Sequence, residues 1–224
     1  IRKEAVGAKC AFNFETGFMD HGLVVQRKGC WRFFVEVFGR GCHVGNDPEN
    51  GRSAILEMAH KIIEIEKLSD FSKGYNVNAG IIEGGTVANA APAYCKIECD
   101  FRYTHPEDLP VLRKKIDAIC SRTWVEGTTT KVTDNVGFGT MTRLPGNMVL
   151  LEIARQAAEE NGFPIPEDKL CGGGSDAAYT TEMGIPTLCA MGVEGARNHT
   201  VEEWADVESL FRRAKQMAAI LLKL

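Results

Sequence analysis

Cys95-Lys96-Ile97-Glu98-Cys99-Asp100-Phe101-Arg102 is the cleanest alternation in the 224-residue chain, apolar at every odd position and polar at every even one. A period of two sends successive side chains to opposite faces, so this stretch predicts a strand with one core face and one wet face. The segments around it fall into step. Upstream, Tyr75 to Glu83 reads as a strand closed by the Gly84-Gly85-Thr86 turn. Ser53 to Leu68 carries Ile55, Met58/Ala59, Ile62 and Ile65 at helical spacing, one buried face. Before it, Trp31, Phe33, Val35 and Val37 alternate with Arg32, Phe34, Glu36 and Phe38, a further strand, and Gly39 to Gly51 forms a long loop. Downstream, Thr104-His105-Pro106-Glu107 has the spacing of a capping box. It opens a helix to Thr123 with Leu109, Leu112, Ile116 and Ile119 as its stripe, and Thr128 to Val136 supplies a fourth strand. The order β-α-β-β-α-β is that of a ferredoxin-like domain.

The flanks read differently. Cys10 to Glu15 is a short apolar run that delivers Glu15 to the C-terminal end of a strand, the edge where parallel sheets collect ligand groups. Leu23-Val24-Val25 is a second brief run, and Arg27-Lys28-Gly29 and Arg143-Leu144-Pro145-Gly146 are joints. Met148 to Asn161 is an amphipathic helix stopped by Gly162 and Pro164. The stretch from Cys171 to Thr200 opens with Gly172, Gly173 and Gly174, a costly run that marks close main-chain approach. Ser175 and Asp176 are placed to cap a helix from Ala177 to Met183, Thr187 to Met191 is a short buried strand, and His199 follows in a loop. Thr200-Val201-Glu202-Glu203 repeats the capping-box spacing. The last helix starts at Asp206 with Val207, Leu210, Phe211, Ala214, Met217/Ala218 and Leu221 along one side. The fold class is therefore α/β, with residues 1–28 and 144–224 as two pieces of one α/β unit and residues 29–143 inserted between them.

Composition narrows the partners. Hydrophobic content of 44%, 25% charged residues and a net charge of −4 describe an ordinary globular chain without a basic block, so nucleic-acid and anionic-membrane partners are not expected. No apolar run reaches the roughly 18 residues of a membrane span. Eight cysteines without a CxxC pair, with Cys99, Cys120 and Cys189 among apolar neighbours, suit reduced thiols and a cytoplasmic location. The start at Ile1, already inside an α/β pattern and without a signal peptide, suggests a piece of something longer.

The polar outliers in order are Glu15, His43, Asn89, Arg102, the Gly172–Asp176 turn and His199. Gly39-Arg40-Gly41-Cys42-His43-Val44-Gly45-Asn46-Asp47-Pro48-Glu49-Asn50-Gly51-Arg52-Ser53-Ala54-Ile55 resembles the G-x-x-A-H-A-G-x-x-P-E-x-G-R-S-A-I signature of the M20 family of zinc hydrolases, in particular its glutamate carboxypeptidase-like branch. Gly84-Gly85-Thr86-Val87-Ala88-Asn89-Ala90-Ala91-Pro92 resembles that family's G-G-T-x-x-N-x-x-P turn. Asp100-Phe101-Arg102 resembles its D-x-R, and Gly173-Gly174-Ser175-Asp176-Ala177 with His199-Thr200 complete the set in the family's order.

The resemblance implies an α/β catalytic domain, here incomplete, with an inserted ferredoxin-like lid that forms a homodimer. It implies two zinc ions, with Glu15 on one and His199 on the other. It implies His43 and Asn89 serving a partner subunit's site, His43 at the developing oxyanion, with Arg102 on the substrate carboxylate and Gly174 and Ser175 lining the substrate pocket. Paired zincs lower the pKa of a bridging water and clamp a tetrahedral intermediate, which suits cleavage of a peptide or N-acyl amino acid. The chain departs from the pattern upstream of Glu15. The family's H-x-D, bridging aspartate and paired glutamates have no counterpart in residues 1–14, which hold only Glu4 as an acid and no histidine. The expectation is a C-terminal portion with weak or no zinc binding and no activity alone. The competing expectation is a non-catalytic dimerisation or binding module.

Overall fold

The computed structural model describes residues 1–224. In chain order the elements are β1 (Ala11–Phe12), β2 (Leu23–Arg27), β3 (Gly29–Phe38), α1 (Ala54–Glu66), β4 (Asn76–Gly84), β5 (Tyr94–Tyr103), α2 (Asp108–Ser121), β6 (Thr129–Phe138), α3 (Pro145–Asn161), β7 (Asp168–Cys171), α4 (Ala177–Glu182), β8 (Thr187–Leu188), β9 (Gly195–Ala196), β10 (Trp204–Ala205) and α5 (Val207–Leu221). They gather into two compact units, residues 30–138 and the flanking pair 1–29 with 139–224. No helix is long and apolar enough to cross a membrane.

The unit of residues 30–138 is a four-stranded sheet in the order β4-β5-β3-β6, with β4/β5 and β3/β6 antiparallel. This is the ferredoxin-like order that the β-α-β-β-α-β pattern predicts. Cys95, Ile97, Cys99 and Phe101 are fully buried, and they pack with Phe33, Val35 and Val37 of β3 against Met58, Ile65, Leu112 and Ile116 of the two helices. Ser53 caps α1, its hydroxyl accepting from the Leu56 amide at 3.1 Å.

Two local expectations give way here. Thr104 and Glu107 form no capping box: α2 begins at Asp108, whose carboxylate accepts from the His105 amide at 3.0 Å and the Tyr75 hydroxyl at 2.8 Å. On α1, Ile55 is exposed, while Glu57 and Lys61 are fully buried as an ion pair at 2.8 Å. Glu57 also accepts from the amides of Trp124 and Val125, and Lys61 donates to the carbonyls of Cys120 and Arg122. Those backbone groups lie in the last turn of α2 and just past it, where carbonyls and amides lack helical partners, and two charges satisfy four of them at once.

In the flanking unit, β2 pairs in parallel with β7 and β1 with β8, and a Val24–Cys189 bridge joins the two pairs. Leu23 and Val25 point to one face, against Leu150, Leu151 and Ala154 of α3 and Ile220 of α5. Val24 points to the other, with Met141, Ala177 and Cys189. Helices therefore cover both faces, which gives the α/β layering. β7 was not anticipated, because Asp168-Lys169-Leu170-Cys171 carries one aliphatic residue and no alternation. Met141 pairs with Arg27, so residues 139–143, expected in the inserted segment, belong with the flanks.

The last helix corrects the sequence reading most. Val207, Leu210, Phe211 and Leu221 are all exposed, and the buried face is Ser209, Arg213, Gln216 and Ile220. Rotation of the helix is decided by Glu194, 1% exposed, which pairs with Arg212 at 2.6 Å and Arg213 at 3.2 Å. Residues 200–203 make a turn, and α5 starts only at Val207 behind Asp206, whose carboxylate accepts from the Glu208 amide. All eight cysteines are free thiols. Burial pushes Cys99 up to about 12 and Cys120 up to about 11, so neither is a nucleophile.

Candidate active site

The β1–β8 ladder continues beyond both strands. The amides of Met191 and Gly192 donate to the carbonyls of Asn13 and Glu15 at 3.1 and 2.9 Å, and the Gly17 amide donates to Val193 at 2.8 Å. The two backbones approach so closely that a Cβ at Gly192 would stand 2.6 Å from the carbonyl oxygens of Phe14 and Glu15. Glycine is required there. The ladder carries residues 192–196 alongside Glu15, and the β9–β10 pair then closes the loop that holds His199. Asn198 ties that loop back, its amide donating to the Thr16 hydroxyl at 3.0 Å. Arg197 and His199 both sit at positive φ, 62° and 67°, a left-handed conformation uncommon outside glycine. The His199 amide donates to Glu203 at 3.2 Å, which holds the turn.

Glu15 and His199 thus line one pocket of about 320 Å³, together with Phe18, Arg27, Cys171, Gly173, Gly174 and Asn198. Gly174 sits on this wall. Ser175 does not: it is buried, and its hydroxyl accepts from the Ala177 amide at 3.3 Å and lies 3.5 Å from the Cys189 sulfur. It caps α4 alone, since Asp176 makes no cap. His21, unassigned by sequence, has its Nδ1 2.8 Å from Glu194. Sequence reasoning also passed over Arg27, taken as part of a joint, and Cys171. No local signal marked either, because β7 brings them together.

The inserted unit holds the other three candidates. The segments around Cys42 and Asn89 form a small ladder, with the Val44 amide donating to Asn89 at 3.0 Å and the Ala91 amide to Cys42 at 2.9 Å. It sets the His43 Nε2 3.4 Å from the Asn89 side-chain nitrogen, while Nδ1 accepts from the Gly45 amide at 3.2 Å. Both side chains are exposed. Arg102 is elsewhere. It lies opposite Asn76 near the far end of β5, whereas Asn89 precedes the Tyr94 end, and eight residues of strand span roughly 26 Å. The Arg102 guanidinium grips Asp100 through Nε at 2.5 Å and Nη2 at 2.9 Å, and Arg32 reaches the same carboxylate at 3.1 Å. Burial pushes the Asp100 carboxyl up, but the Arg102 and Arg32 cations outweigh it and hold it below the usual range.

The donor chemistry in the flanking pocket is a carboxylate and an imidazole converging from distant parts of the chain, which suits a divalent zinc. No group of three or more histidine, cysteine, aspartate or glutamate side chains closes around a metal. Glu15 and His199 therefore fit as part of a ligand set.

A family model described as a peptidase dimerisation domain, that of the M20 peptidases, matches residues 25–128. Carboxypeptidase G2 of Pseudomonas sp. (strain RS-16) is 26% identical over 226 residues, spanning 100% of this chain and 54% of that protein. The uncharacterized protein YqjE of Bacillus subtilis (strain 168) is 33% identical over 187 residues, 83% of this chain and 49% of that one. The crystal structure of aminopeptidase PepT from Bacillus cereus ATCC 10987 superposes with a TM-score of 0.82 at 26% identity, over 98% of this chain and 58% of its own. This chain spans about half the length of the curated relatives it matches.

Proposed function

We propose that this chain, which belongs to the M20 peptidase family and carries its dimerisation domain, supplies part of a zinc hydrolase that cleaves the amide bond of a carboxylate-bearing peptide or N-acyl amino acid. The observation that carries this reading is the convergence of Glu15 and His199 on one pocket. Zinc bound there would acidify a water and polarise the scissile carbonyl. Glu15 and His199 hold the metal, and the positive φ at His199 aims its imidazole at the cost of backbone strain. The Gly173–Gly174 wall lets substrate main chain lie close. Arg102, pre-oriented by Asp100, grips the substrate's carboxylate. No residue of this chain is assigned the general-base role.

Dimerisation gives His43 and Asn89 their place in the reading. They and Arg102 lie at opposite ends of one strand, too far apart to hold one small substrate, which supports their serving the sites of different subunits. The edge strand β4 exposes Ile81 and Ile82, and α1 exposes Ile55, Leu56 and Ile63. An unpaired apolar edge of this kind suits a two-fold homodimer. Sedimentation equilibrium of Ile82→Asp is expected to show monomer where the parent chain is dimeric.

The decisive experiment measures bound zinc and hydrolysis of N-acyl amino acids and C-terminal glutamyl peptides by the full-length gene product. Glu15→Gln and His199→Ala should each lower the zinc content. His43→Ala should lower kcat by about 10²–10³ with little change in KM, the loss expected of an oxyanion donor. Zinc content unaltered by both ligand variants would sink the reading. Dimerisation without hydrolysis would favour the non-catalytic module.

A further inference from the structure

Arg27 is 6% exposed and lines the same pocket as Glu15 and His199. Its Nε donates to the Cys189 sulfur at 3.2 Å, and its Nη1 to the Cys171 sulfur at 3.3 Å and the Gly173 carbonyl at 3.0 Å. None of these acceptors is an anion when the thiols are neutral, and sulfur is a weak acceptor. A guanidinium keeps its charge throughout the physiological range, and burying one without a counter-charge is strongly unfavourable. The other buried cations of the chain are matched: Lys61 with Glu57 at 2.8 Å, Arg213 with Glu194 at 3.2 Å. Arg27 departs from that pattern, and it does so at a pocket wall. Gly173 lines the same wall beside Nη1 without crowding it, since even a Cβ there would stand 3.7 Å away, an ordinary contact.

We propose that Arg27 is a recognition point for a carboxylate on the ligand, so that the pocket takes a compound with an acidic acyl or side-chain group. A carboxylate supplies the missing counter-charge and matches the planar donor edge of the guanidinium. Glu15 lines the same pocket and repels an anion, which directs the ligand's carboxylate to the Arg27 side. The statement about substrate rests on the hydrolase reading above. The carboxylate site itself needs no metal and no turnover.

The test is a titration of the protein carrying ¹⁵N-arginine, following the Arg27 side-chain signals by NMR at constant ionic strength. Glutarate should give a saturable shift, and glutaramide, its uncharged analogue, should give none. Arg27→Gln should weaken glutarate binding by about tenfold or more, the usual loss for a charge-assisted hydrogen bond. Arg27→Lys, which keeps charge without the fork, should fall between. Absence of saturation with glutarate overturns the proposal. Inorganic phosphate binding as tightly as glutarate overturns the carboxylate assignment. The parent titrations decide the matter even where Arg27→Gln fails to fold. In hydrolysis assays, an acidic acyl group should be preferred over its amide, and Arg27→Gln should erase the preference. Absence of hydrolysis by the parent protein would count against the hydrolase reading, whereas hydrolysis by the parent without that preference would count against Arg27 alone.

Discussion

The inserted sheet unit and the split unit flanking it solve the same burial problem by different means. Residues 30–138 rest on long strands with alternating side chains, three of them of ten residues, and one continuous core. The flanking unit has strands of two to five residues in its sheet, and its helices cover two separate clusters. Its loops are instead tied by Glu194. Glu194 holds His21, Arg212 and Arg213 through its carboxylate, its backbone amide donates to the Ser209 hydroxyl at 2.8 Å, and its backbone carbonyl accepts from the Asp206 amide. Hydrophobic area, being non-directional, builds the inserted unit. Directional ion pairs anchor the segments on either side of the loop that bears His199.

The largest test of that contrast is Glu194→Gln. It strands the buried Arg213 guanidinium and takes one anion from part-exposed Arg212, so a loss of about 3 kcal/mol or more is expected in chemical denaturation. Amide exchange should quicken in residues 139–224 while β3 and β5 keep their protection. Uniform loss of protection would show that the units share one ionic scaffold. Lys61→Met places the same insult in the sheet unit. Glu57 keeps two amide donors, so the cost should fall near the lower end, about 3 kcal/mol, and equal losses would blur the distinction drawn here. Gly192→Ala probes backbone approach without charge. The clash with the Phe14 and Glu15 carbonyls should cost about 1–3 kcal/mol in chemical denaturation.

The smallest effect is Asp100→Asn. Because the folded Asp100 carboxyl lies below its unfolded value, its contribution is present above the ordinary carboxylate range and is lost as pH falls through the lowered value. The pair is part-exposed, so about 1 kcal/mol or less is at stake. Acid destabilisation of the sheet unit below about pH 4 should be shallower in the variant. An unchanged acid limb would mean that Asp100 orients Arg102 without stabilising the sheet.

Much of the inserted unit was legible because its strands are half-buried, and a period of two survives in sequence wherever one face meets water. Cys95 to Arg102 shows it. The same logic misled at α5, where the apolar stripe of Val207, Leu210 and Phe211 is the exposed side. Periodicity reports that a helix has two faces; it does not say which one a buried glutamate on another segment will claim. The capping-box spacings at Thr104 and Thr200 misled for a related reason, since Asp108 and Asp206 lay nearby and offered better-placed acceptors.

What the amino-acid sequence determined by itself is the β-α-β-β-α-β order of the ferredoxin-like insertion, because that depends on local periodicity, while Glu15 and His199 stood out only through the motifs around them. What only the tertiary structure decided is which of those residues meet. Parallel pairing of β1 with β8 and of β2 with β7 joins segments distant in the chain, and their register sets Glu15 beside the His199 loop and Arg27 beside Cys171. Register across a parallel pair is fixed by packing on both faces of the sheet, and no local pattern encodes it.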